Sequence, residues 1–153
     1  MTYFANHTGP DNKPPPKEKK GKKPMKRTVI KKISPTSLNA LLNAARVVFQ
    51  KWIVKRDAGK PCISCDSKLY KPHATHFFKA ELFPGLIFSE YNTHSGCAIC
   101  NIYLDGNTDE YRKKLPNRIG EMNYICLVQS SDNARNRKYT REELNQIITK
   151  YKT

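Results

Sequence analysis

Two identically spaced cysteine pairs, Cys62-Ile-Ser-Cys65 and Cys97-Ala-Ile-Cys100, are the residues in this chain with the clearest chemistry. Each CxxC turn offers two thiolates to one ion. Zinc takes four such ligands in a tetrahedron, so the two pairs can share one metal and close the segment between them into a loop. His76 lies inside that loop, and Asn101 follows the second pair directly. Disulfides are the competing use of these residues. The chain has five cysteines, however, so Cys126 would be left over, and no apolar leader follows Met1. Both features point to a reducing compartment such as a cytoplasm. A closed four-thiolate site has no open position for water or substrate, so this zinc is expected to be structural and any catalysis must use other groups.

The elements that must hold these groups read as α+β. Residues 74–79 and 86–91 have the aromatic and branched composition of short strands, with Phe83-Pro84-Gly85 as a turn signal between them. Residues 98–104 suit a short helix stopped by Asp105-Gly106-Asn107, so the zinc-closed module over 60–107 runs strand, strand, helix. Ahead of it, Ser34 and Pro35 look like a helix start. Leu38, Leu41, Leu42, Ala45, Val48, Phe49, Trp52 and Ile53 then form one apolar stripe, giving a helix over 34–58. After the module come a helix over 108–119 reset at Pro116, a strand over 124–129 and a polar, basic loop over 130–138. Thr140-Arg-Glu-Glu143 is a capping box that opens a last helix with Leu144, Ile147, Ile148 and Tyr151 on one face. Residues 34–153 thus read as a single domain.

Charge names the partner class. Among 153 residues, Lys and Arg number 28 against 13 Asp and Glu, a formal net charge of +15. A surplus of that size suits a polyanion, most simply nucleic acid, because neutralising phosphates releases condensed counterions. A membrane partner is not expected: no stretch is long and apolar enough to span a bilayer, and the basic segment lacks an interleaved apolar face. Residues 1–33, rich in Lys, Pro and Gly, carry ten Lys and Arg against Asp11 and Glu18, which is +8 of the +15. This tail reads as disordered, serving either as a solubilising leader or as a DNA-tethering arm.

A strand histidine (His76), a loop asparagine (Asn92) and an asparagine at the start of a helix (Asn101) around one centre resemble the HNH, or ββα-metal, nuclease signature in a zinc-supported variant. A longer series of words resembles the lambda-type NinG or Rap recombination endonucleases of bacteriophages. They are Trp52-Ile-Val-Lys-Arg-Asp57, Pro61-Cys-Ile-Ser-Cys65, His73-Ala-Thr-His76, Glu90-Tyr-Asn-Thr-His94, Cys97-Ala-Ile-Cys-Asn101, Gly106-Asn107 and Glu110-Tyr-Arg112. The resemblance covers roughly residues 49–120. It implies a metal-dependent endonuclease for branched DNA such as Holliday junctions and displacement loops. By the same resemblance His76 is the general base, Asn101 a ligand of a catalytic Mg²⁺ or Mn²⁺, and Asn92 the brace that orients His76. The sequence departs from the HNH pattern at Thr75, where an aspartate or histidine ligand is common. His73, Glu90 and His94 are candidates to complete the metal shell.

Each of these residues also has a plain structural use. His76 can hydrogen-bond a neighbour, Asn101 can cap a helix, and His73 and His94 can support the zinc ligands from behind. The rival function is therefore a non-catalytic zinc ribbon that binds nucleic acid. Resolving a four-way junction takes two symmetrical nicks, so a homodimer is a natural state, with the helical faces at 38–53 and 144–151 available for contact.

Overall fold

The computed structural model describes residues 37–152, and the basic segment 1–33 lies outside the described residues. Helix α1 spans Leu38–Arg56. Its cap is Ser37, whose hydroxyl accepts from the Ala40 amide at 3.1 Å; Ser34 and Pro35 lie outside the described residues. The apolar stripe faces inward where expected, with Ala45, Phe49 and Ile53 buried. Lys55 and Arg56 in the last turn complement the helix dipole.

A two-stranded antiparallel sheet follows, β1 (His73–His76) and β2 (Thr93–Gly96), in the register His73↔Gly96, Ala74↔Ser95, Thr75↔His94 and His76↔Thr93. The second strand is therefore not at 86–91. Pro84–Leu86 form a single 3₁₀ turn, and the turns continue through Ser89 N–H to Leu86 O and Asn92 N–H to Ser89 O. Leu86 and Ile87 are both buried, so that run is apolar because it fills core, not because it alternates across a sheet. The true β2, Thr-His-Ser-Gly, has no apolar residue, and it is fully buried among polar partners.

After β2 the chain makes one wide π-type helical turn, Ile99–Tyr103, within the stretch expected to be helical. Asp105, Gly106 and Asn107 all have positive φ, which carries the chain out of that turn and into α2 (Thr108–Ile119). Pro116 does not reset α2; the helix continues three residues past it. The carbonyl deprived of a partner belongs to exposed Arg112, where water can take its place. Residues 124–129 are not a strand but part of α3 (Glu121–Ser130), in which Leu127 is buried and Tyr124 packs on the core one turn earlier. A short apolar run of this kind fits either element until its burial is known. The segment 130–138 contains a 3₁₀ turn, Asp132–Ala134, before the basic residues. Helix α4 (Arg141–Tyr151) opens on the expected capping box: Thr140 Oγ1 accepts from the Glu143 amide, and Glu143 Oε2 accepts from the Thr140 amide.

Two apolar cores flank the sheet. Ile63, Phe77, Phe83, Leu86, Tyr111, Leu115 and Leu127 form one. Phe49, Ile53 and Tyr151 form the other, where α1 meets α4, with Trp52, Ala74 and Phe88 packed against them. Phe49 and Tyr151 meet edge to face at 4.9 Å.

Candidate functional site

The four cysteines of the two CxxC turns converge. Their sulfurs all lie within 4.8 Å of one another, and Cys65 and Cys97 are 3.8 Å apart. Four ligands at about 2.3 Å from a tetrahedral zinc would be spaced by about 3.8 Å, so the cluster fits one such ion. The surroundings favour thiolates. The Cys97 amide donates to Cys62 Sγ at 3.3 Å, the Cys100 amide to Cys97 Sγ at 3.4 Å, and Asn107 Nδ2 to Cys100 Sγ at 3.5 Å. Burial raises the Cys62 thiol, but donation from the Cys65, Cys97 and Ser64 backbone outweighs it and brings it down to about 7. Burial pushes Cys100 up to about 12, against the pull of Asn107. Without a cation the four sulfurs cannot all be ionised, and one divalent metal removes that conflict. Cys126 is exposed and lies outside the cluster.

β2 runs straight into Cys97, so the sheet joins this cluster to His76 at its opposite end. His76 Nε2 is 3.0 Å from the Ile87 carbonyl. A carbonyl only accepts, so Nε2 carries the ring proton and Nδ1 is left as the basic nitrogen. Burial pushes the imidazole below its ordinary value, with Arg46 adding to the effect, while the Ile87 carbonyl and Glu81 pull the other way. Asn92 is fully buried and holds this end of the sheet. Its Oδ1 accepts from the Phe78 amide at 2.7 Å, and its Nδ2 donates to the Phe78 and Leu86 carbonyls at 3.0 and 3.1 Å. Because it bonds both the segment after β1 and the turn before Ile87, it fixes the carbonyl that orients His76.

His76 and Asn101 line one open cavity of ≈ 300 Å³, together with Ala74, Lys79, Glu81 and Asp105. Lys79 and Asp105 form an ion pair across it. Sequence reasoning did not single out Glu81 or Asp105; their only signal was a carboxylate within a few residues of His76 or Asn101.

Glu90 and His94 stand elsewhere, on a second cavity of ≈ 230 Å³ with Arg56, Asp57, Lys60 and Arg118. Glu90 Oε1 accepts from Tyr151 at 2.7 Å and from Lys150 at 3.0 Å, which ties α4 to the loop before β2. His94 is buried with Nδ1 3.0 Å from the Tyr111 hydroxyl. His73 pairs with Gly96 at the cysteine-cluster end of the sheet and lines neither cavity. Thr75 is buried, and its Oγ1 sits 2.5 Å from where a Cβ on Gly96 would stand, so only glycine fits at position 96, diagonally across the sheet. Asp57, also missed, is a buried hub. It accepts from Arg56 at 3.0 and 2.8 Å, from Lys60 at 3.0 Å and from the Ser95 amide at 3.0 Å. Burial alone would raise this carboxyl, but those donors hold it well below the usual carboxylate range.

Fold and site together define a small α+β protein in which a four-thiol cluster and a buried polar network pin a two-stranded sheet beside a polar cavity. Residues 10–153 match the family described as Bacteriophage Lambda NinG protein, and the chain belongs to that family. It is 32% identical over 123 residues to protein ninG of Escherichia phage 933W, covering 80% of this chain and 60% of that one. It is 30% identical over 123 residues to protein ninG of Escherichia phage lambda, covering 80% and 59%, and 33% identical over 125 residues to protein ninG of Salmonella phage P22, again covering 80% and 59%. The chain thus spans about 60% of the length of the relatives it matches. No solved structure matches it. Among the described residues, no helix is long and apolar enough to cross a membrane.

Proposed function

We propose that this protein is a metal-dependent, HNH-like endonuclease that cuts branched DNA recombination intermediates, with a structural zinc on Cys62, Cys65, Cys97 and Cys100. The observation that carries the reading is the meeting of His76 and Asn101 on one cavity, with the His76 tautomer fixed by the Ile87 carbonyl and Asn92 bonded to the carbonyl of the adjacent Leu86. Hydrolysis of a phosphodiester needs a water deprotonated as its oxygen bonds to phosphorus, while the bond from phosphorus to the 3′ oxygen breaks. His76 Nδ1 takes the proton. Its depressed pKa keeps the ring neutral, and hence basic, at physiological pH.

Among the described residues the cysteines are the only clustered set of three or more His, Cys, Asp and Glu, so those residues do not cage a second ion by themselves. Asn101 with Glu81 or Asp105 suits the sparse protein shell of Mg²⁺, which keeps waters and takes phosphate oxygens from its substrate. Such an ion, when bound, stabilises charge on the phosphate and the leaving oxygen. Thr75 favours the rival reading, a zinc module that binds nucleic acid without cutting it, because this buried hydroxyl stands where an acidic or histidine ligand is usual.

The test is to incubate the purified protein with branched and linear DNA, with and without added Mg²⁺ or Mn²⁺. His76→Ala is expected to keep the fold, the zinc and branched-DNA binding while losing about a hundred- to ten-thousand-fold in nicking. Asn101→Ala is expected to be defective and partly restored at high Mn²⁺. Nicking by His76→Ala at the normal rate would overturn the assignment and leave the binding module as the better account.

A further inference from the structure

The cavity that holds His76 does not end there. Through His76, Ala80 and Glu81 it adjoins a second hollow of ≈ 140 Å³ walled by Arg46, Phe49 and Gln50 of α1. Through Arg46 and Ile87 that hollow adjoins a third, of ≈ 300 Å³. The floor of the third is apolar, with Leu42, Pro84 and Leu144, and its rim carries Arg46, Arg137 and Lys138. One line of α1 residues at four-residue steps, from Leu38 through Leu42 and Arg46 to Gln50, runs along this groove. At about 1.5 Å of rise per residue that line is roughly 18 Å long, the length of about five stacked nucleotides.

Arg46 is the informative residue. Its Nε is buried with no hydrogen-bond partner among the described residues. A buried charged donor left unpaired costs free energy unless a ligand supplies the acceptor. On the opposite side Lys60 and Lys114 are paired with Asp57 and Asp66 and Arg118 also has a buried unpartnered nitrogen, while in the groove Arg137 is paired with Glu143; what sets the groove apart is the apolar floor beside Arg46.

From these observations we infer that the groove holds a single, unpaired strand of nucleic acid leading to His76, with Arg46 and Lys138 on its phosphates and an unstacked base on the apolar floor. The inference rests on the nuclease reading for its polarity but not for its binding. A duplex has no use for the apolar floor, because its bases are stacked inside. An unpaired strand offers alternating charge and apolar ring, which is what the rim and floor present. The reading adds the substrate feature that the site recognises: an unpaired arm next to the phosphate to be cut.

The experiment measures binding of a fluorescent thymidine oligonucleotide and of a blunt duplex to the full chain, without added Mg²⁺ or Mn²⁺ so that nothing is cut. For the single strand, Arg46→Gln with Lys138→Gln is expected to lower the slope of log affinity against log salt by about 0.7 for each lost contact. Leu42→Ser is expected to weaken single-strand binding on the order of tenfold while leaving duplex binding unchanged. Ultraviolet crosslinking of a bromodeoxyuridine strand to the unmutated protein, mapped by mass spectrometry, is expected to mark α1 between Leu38 and Gln50, and this holds even if a variant folds poorly. Unchanged slopes, crosslinks on the Lys60, Lys114 and Arg118 side, or lysine-specific crosslinks joining Lys138 to the chain's own leading residues would each overturn it. A protein that cuts nothing yet passes these binding tests refutes the nuclease reading and leaves the groove standing. A protein that nicks normally but fails them does the reverse.

Discussion

His76 and His94 stand on facing strands of one sheet, one register step apart, yet burial sets them different tasks. His76 keeps a face on an open cavity. His94 is sealed among Arg56, Lys60 and Arg118 and is pushed down to about 3, by burial first and by Arg56 next. The Tyr111 hydroxyl donates to the Thr75 carbonyl, so His94 Nδ1 must be the donor to Tyr111, and burial beside Arg56 disfavours a second proton on Nε2. The sign of the pH effect follows. The unfolded imidazole titrates at its ordinary value, about 6.5, and so takes up a proton well before the folded one does. Stability is full above that value and should fall by about 1.4 kcal/mol for each pH unit lost, until the folded group titrates near 3. Denaturant unfolding at neutral pH and at mildly acidic pH, with zinc in excess, should show this slope in the unmutated protein and a shallower one in His94→Gln. The sequence offered His73, Glu90 and His94 on equal terms as candidates to complete a metal shell around His76. Nothing in residue type reveals that Tyr111, which is 17 positions further along the chain, claims His94, or that α4 claims Glu90.

At the scale of elements, the zinc knuckles and the capping box of α4 were legible because their chemistry is local: spacing alone brings the ligands or the reciprocal hydrogen bonds together. β2 and α3 were not legible. β2 is polar on both faces because its partners are Asp57 on Ser95, Arg56 on Thr93 and Tyr111 on His94, all supplied by distant segments. α3 is an apolar run whose period becomes visible only once Leu127 is known to be buried. The same geometry makes a prediction for the thiol cluster. A metal on the cluster would add to the hydrogen bonds from Ile63 to Ser95 and from Cys97 to Cys62 that tie this turn to the end of β2. Cys97→Ser should therefore lose the single zinc expected per chain and unfold the sheet, read out by metal analysis and circular dichroism. A zinc content of none in the unmutated protein, or an intact fold in the variant, refutes the assignment.

For the whole molecule, net charge raises the expectation of a polyanionic partner but does not say which face would meet it. Residues 1–33 hold +8 of the +15, and removing residues 1–27 is expected to make the salt dependence of DNA affinity shallower while leaving any nicking in place. An unchanged slope would assign that charge to solubility. The placement of the sheet has a further consequence. β1 is a shared wall: Phe77, directly after it, lies in one apolar core, while Ala74 within it packs against the other. Neither core can loosen without taking the wall with it. Residues 37–152 should therefore melt in one calorimetric transition instead of two, and the backbone amides of β1 should exchange with heavy water only through that global opening. The segment that carries the candidate base would then be the last of the described residues to yield, and residues 37–152 should show no partly melted form in which one core survives and the His76 cavity is already lost.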